Sequence, residues 1–231
     1  MLLKIRHSAT YTYDQPVQYA LQQARLTPKS RSYQTVNGWK IILDGATKQL
    51  EFDDEHNNRV TLLSVDEGRR NFTVTCEGEV TTFDNAGIIG MHSGYAPLWH
   101  FQRYTNLTKP GPLIRALARQ LGSGFDNDVQ RFHALSNLVG EQVAYEIGTT
   151  DISTSAEMAL AAKRGVCQDH AHVFISCARV LGYPARYASG YLMMNDRVDQ
   201  EATHAWAEVF FHDIGWVGLM SPTAFHPMNA I

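Results

Sequence analysis

Long apolar runs are missing from this chain: no stretch approaches the ~18 uninterrupted apolar residues that a membrane helix needs. A membrane is therefore not an expected partner. Basic blocks are missing too, since 20 Lys and Arg against 23 Asp and Glu leave a formal charge of -3 and no cluster that could neutralise successive phosphates. Nucleic acid is not an expected partner on the same ground. Cysteine is scarce: Cys76, Cys167 and Cys177 form no CxxC pair and no even framework, which argues against a disulfide-stapled secreted domain. The opening MLLKIRHSATYTYD alternates polar and apolar residues and lacks the apolar run of a signal peptide, so a reducing cytoplasm is expected. No repeat or low-complexity tract is visible. What remains is a chain of 231 residues, 44% hydrophobic and 19% charged, able to bury one large core or two modest ones.

The first half reads as short strands over 3–13, 38–43, 49–52, 59–65 and 71–83, separated by turn signals such as Asp44-Gly45 and Asn57-Asn58. RNFTVTCEGEVTTF has the period-2 alternation of a half-buried strand, and Cys76 within it reads as a small core hydrophobe. An antiparallel sandwich is the economical arrangement. Periodicity then lapses, and 96–111 reads as a connector. Helical signals follow: Pro112 suits a first helical turn, a second helix is expected over 127–143, and Ser155 can cap a third, AEMALAAK. Helices followed by strands make the second half α+β, over 112–231, after a β domain at 1–95.

The chemistry concentrates in KRGVCQDHAHVFISCARVLGYPARYASGY. If a helix starts at Cys167, then Ala171, Phe174, Ile175, Ala178 and Leu181 follow as one apolar stripe. A thiol in the first helical turn meets unpaired backbone N–H groups and the positive end of the dipole, which favour thiolate, and its own N–H can face a developing oxyanion. A Cys at a helix start, read alone, is more often structural. Downstream, THAWAEVFF alternates so that His204, Trp206, Glu208 and Phe210 share one strand face and small alanines line the other. A His at the start of such a strand can lean over the helix start as base to the thiol.

With these residues in view, GVCQDHAH, LGYPARYASGYL, HAWAEVFF and IGWVGL together resemble the bacterial transglutaminase-like superfamily. The segments LLKIRHSATYTYDQPV and ARLTPKS are similar to the β-rich region that precedes the catalytic core in this branch. The resemblance implies a papain-like core, helices packed on an antiparallel sheet, behind a β-sandwich-like domain. It implies a cysteine protease or amidase with Cys167 as nucleophile and His204 as general base, a peptide or other amide as substrate, and no cofactor or metal.

In one respect the chain departs from the family, whose GWVGFDPT-like strand supplies an Asp that orients the imidazole. Here the run is GWVGLMSPTAF, which puts Met220 at the acidic position, or Ser221 after a one-residue shift. The chain also stops earlier than family members do. Without the acid the imidazole has no fixed tautomer and the imidazolium no counter-charge. The expectation is a weakened or inactive thiol enzyme unless a Ser221 hydroxyl, a water or another chain orients His204. The alternatives are an acyl-transferring transglutaminase and a non-catalytic binding protein that keeps the fold. Gln168, Asp169, Tyr145, Tyr187 and Trp206 are the candidates for cleft wall or oxyanion contact, although Asp169 also suits a helix cap and aromatics on strands are more often packing. His170 and His172 lie two apart and face different ways on a helix, which does not suit a shared metal.

Overall fold

The computed structural model describes residues 1–193 and 203–219. It divides the chain into two compact units, 1–83 with 93–96, and 84–92 with the rest.

The first unit is two antiparallel sheets. Strands β1 (Leu2–Thr12), β3 (Gln34–Asp44) and β6 (Asn71–Thr82) form one, in the order β1-β6-β3. Strands β2 (Leu21–Thr27), β4 (Ala46–Asp53) and β5 (Arg59–Val65) form the other, in the order β2-β5-β4. The alternation read in the sequence has its expected consequence in β6, where Phe72, Val74, Cys76 and Val80 are buried. Leu63 and Val65 from β5 meet Phe72 and Val74 from β6 in one core, as expected of a sandwich. Strand β2 was not anticipated, because LQQARLT is polar and mostly exposed. It is an edge strand, held by pairing to β5 and carrying little hydrophobic signal of its own.

The second unit is α+β. Four antiparallel strands in the order β10-β11-β12-β7 make its sheet: β7 (Ile88–Gly90), β10 (Ala185–Gly190), β11 (His204–Phe211) and β12 (Gly215–Leu219). Helices α1 (Pro112–Gln120), α2 (Asp128–Gln142), α3 (Ala156–Ala162) and α4 (Cys167–Val180) accompany it, with the short parallel pair β8 (Ala144–Tyr145) and β9 (Arg164–Gly165) between α2 and α4. Their starts follow local chemistry. Pro112 opens α1, Asn127 accepts the Gln130 N–H at 2.9 Å, and Ser155 accepts the Met158 N–H at 3.3 Å. The N-terminus of α1 is capped from another helix, since Glu157 accepts the N–H groups of Gly111, Leu113 and Ile114.

Helix α4 is central. Val173, Phe174, Ile175, Cys177 and Ala178 are buried against Ile114, Phe132, Leu135 and the strand residues Ala207, Val209 and Phe211. Ala205 and Ala207, at most 5% exposed, form the small-residue face expected of HAWAEVFF. Arg179 ties the preceding segment to this helix, donating to the carbonyls of Phe101 and Ala185 and to Thr108 Oγ1. Burial lowers its pKa to about 10. Among the described residues, no helix is long and apolar enough to cross a membrane.

Candidate active site

The start of α4 is built by Asp169. Val166 is extended at the N-cap and has no acceptor in its side chain, so the reciprocal half of a capping box does the work. Asp169 Oδ2 accepts the Val166 N–H at 2.8 Å and the Thr150 hydroxyl at 2.7 Å. The carboxylate lies against Gly165, where an added Cβ would come within 2.7 Å of Asp169 Cβ. Glycine is needed there for space. Gly165 in turn pairs with Tyr145 across the β8–β9 bridge, which sets that ring beside the helix start.

Cys167 is the first residue of α4, with backbone N–H groups of Ala205, Gln168 and Cys167 itself turned toward its sulfur. Those donors favour the thiolate, as the sequence suggested. Burial opposes them and wins, and with a smaller push from the Asp169 carboxylate it holds the thiol above its ordinary pKa. Burial alone depresses the imidazole of His204, so that group rests neutral near pH 7. The structure brings Cys167 to the start of β11 through the Ala205 N–H, one residue from His204. His204 Nε2 is buried with no hydrogen-bond partner among the described residues.

Two phenols flank the thiol. Burial raises Tyr187 to about 12, with Cys167 and Asp169 adding to it, and burial then Cys167 raise Tyr145. Both rings are partly exposed, at 40% and 44%, which suits a cleft wall. Trp206 lines a cavity together with Cys167, while its Nε1–H donates to Glu208 Oε1 at 3.3 Å. Glu208, buried, also accepts from Arg186 Nε at 2.6 Å, and the Arg186 guanidinium lies 4.1 Å over the Trp216 ring. This cluster braces the strand that carries His204. Gln168 contributes its backbone N–H, and Asp169 is engaged as the helix cap. Met220 and Ser221 lie outside the described residues. No group of His, Cys, Asp and Glu among the described residues could hold a metal, and His172 instead stacks on Tyr187 at 5.3 Å.

His170, weighed in the sequence only as half of an HxH pair, joins the site. It is 3% exposed and lines the same cavity as Cys167, Ser136, Val139 and Phe174. Burial lowers its pKa against the opposing pull of the nearby Val143 carbonyl, and neither ring nitrogen makes a hydrogen bond of good geometry among the described residues. The signal was available: three residues beyond Cys167 is the same side of a helix.

Residues 3–81 match the profile of the bacterial transglutaminase-like N-terminal region, and residues 115–219 match the core of the transglutaminase-like superfamily. The chain belongs to the transglutaminase-like superfamily. Uncharacterized protein Mb2599c of Mycobacterium bovis is 28% identical to this superfamily member over 94% of this chain and 77% of its own length. Uncharacterized protein ML0607 of Mycobacterium leprae is 26% identical over 90% of this chain and 79% of its own. Among solved structures, a candidate cysteine protease from Cytophaga hutchinsonii superposes with a TM-score of 0.78 at 21% identity, over all of this chain and 80% of that one. That likeness shows the fold: a transglutaminase-like, papain-like α+β core behind a β-rich region.

Proposed function

We propose that the chain is a thiol-dependent amide or peptide hydrolase. The observation that carries this reading is the thiol at the first residue of α4, facing three backbone N–H groups. Donors placed around the sulfur are also near the oxygen of any carbonyl carbon that the sulfur attacks, so they are positioned to receive a developing oxyanion. With thiol and imidazole both neutral at rest, the proton moves during attack. Cys167 Sγ bonds to the amide carbon as its proton passes to His204, and the imidazolium then gives that proton to the departing nitrogen. A thioester is left on Cys167, and water releases it as a carboxylic acid. Hydrolysis is preferred over acyl transfer because water is abundant and no site for an acceptor amine is recognisable among the described residues. Cys76, Cys167 and Cys177 form no disulfide with one another, which suits a reducing compartment.

One observation favours the alternative, a binding protein that keeps the fold: His204 Nε2 has no partner among the described residues. Treatment with p-nitrophenyl acetate separates the two. The hydrolase reading expects a burst of nitrophenolate, acetyl on Cys167 by peptide mass, no burst in Cys167→Ala, and a burst slowed by about 100-fold in His204→Ala. Acetylation no faster than that of a free thiol, and indifferent to His204, would leave the binding protein.

A further inference from the structure

Helix α4 carries a second imidazole on the thiol side. His170 stands three residues beyond Cys167, is 3% exposed, and has no hydrogen-bond partner for Nδ1 or Nε2 among the described residues. A buried imidazole without partners is unfavourable, and proteins seldom keep one without use. His172 also has an unpartnered nitrogen, yet its ring stacks face to face on Tyr187, which accounts for it as packing. His170 has no stacked ring, only the edge of Tyr145 at 6.2 Å, with the Val143 carbonyl nearby. It lines a cavity shared with Cys167, Ser136, Val139, Phe174 and Ala205, with room for about one water molecule.

We propose that His170 holds the hydrolytic water against Cys167 and accepts its proton. This rests on the thioester chemistry proposed above and assigns the second half of it to a different base. The water oxygen bonds to the thioester carbon while one of its protons passes to the unprotonated nitrogen of His170. The C–S bond then breaks with its electron pair going to Sγ, which takes the proton back from the His170 imidazolium. The products are a carboxylic acid and the free thiol, so atoms and charge balance. Burial suits the role, because it keeps the ring neutral and an acceptor nitrogen available near pH 7. His204, on the strand, is left to protonate the departing amine.

The test uses the whole protein with p-nitrophenyl acetate as acyl donor, and follows acetyl on Cys167 by peptide mass during loading and after removal of the reagent. The ratio of deacetylation to acetylation rate is expected to fall about tenfold or more in His170→Phe. Hydroxylamine, which needs no base, is expected to discharge the acetyl group equally fast from wild type and variant, a result that a merely structural role would not give. An unchanged ratio overturns the proposal, and does so without touching the thioester reading if His204→Ala still blocks loading. Wild-type protein that never acetylates Cys167 overturns both. If His170→Phe loses its fold, His170→Gln decides: it keeps hydrogen bonding and lacks basicity, so a lowered ratio supports the proposal and a wild-type ratio contradicts it.

Discussion

At Cys167 two effects of opposite sign meet. The N–H groups of Ala205, Gln168 and Cys167 stabilise negative sulfur, and the surrounding protein removes the water that would stabilise it further. Burial is the larger effect, so the thiol lies above its ordinary pKa and the His204 imidazole below its own. Both shifts favour neutral forms. Iodoacetamide reacts with thiolate, so labelling of Cys167 is expected to be slow at neutral pH and to climb with pH past the ordinary thiol range. His204→Ala should move that profile little, because a neutral imidazole stabilises no thiolate at rest. Labelling of Cys167 that is flat between about pH 6 and 8 would instead reveal a preformed ion pair. The sequence showed the donors of the helix start and could not show the burial, which depends on residues distant in the chain such as Ala205 and Tyr187.

The element on which the site depends is the first turn of α4, and Asp169 holds it. Its carboxylate satisfies the Val166 N–H and the Thr150 hydroxyl from a position only 1% exposed. Asp169→Ala would leave the Val166 N–H without this acceptor, at a cost of about 1–3 kcal/mol. That corresponds to a fall in Tm of roughly 2–10 °C for a chain of this size. Thr150→Val should cost less, about 1 kcal/mol, because it removes a single hydrogen bond and leaves the cap. Thermal unfolding followed by circular dichroism checks both, and an Asp169→Ala protein melting with wild type would show that the helix start is held otherwise. This element was legible in advance: the apolar stripe and the capping role of Asp169 follow from QDHAHVFISCA alone. Strand β2 was not, since LQQARLT draws its strand conformation from β5 and not from its own pattern.

Across the whole molecule, the residues that define the site come from segments far apart in sequence. Tyr145 arrives through β8, Cys167 and His170 through α4, and Ala205 and Trp206 through β11. The sequence placed a boundary near residue 95, whereas Ile88–Gly90 pairs with β12, as Gly90 opposite Trp216 and Ile88 opposite Val217, and belongs to the second unit. Local periodicity cannot report such a pairing, because the partner strand lies at the other end of the core. The approach of the α4 start to β11, where the Ala205 N–H meets Cys167, joins two segments, GVCQDHAH and HAWAEVFF, that each carry their own signature. His170 was hidden by its own neighbours: next to Cys167 and Asp169 it read as part of an HxH pair, and only burial without partners set it apart.

The central claim, that Cys167 takes an acyl group from an amide, is tested most directly by incubating the complete chain with a pool of synthetic peptides, quenching in acid and mapping the protein by mass. The account predicts peptide cleavage together with a peptidyl thioester on Cys167, and neither in Cys167→Ala. Cleavage that persists in Cys167→Ala, or a pool left intact with Cys167 unmodified, would contradict it.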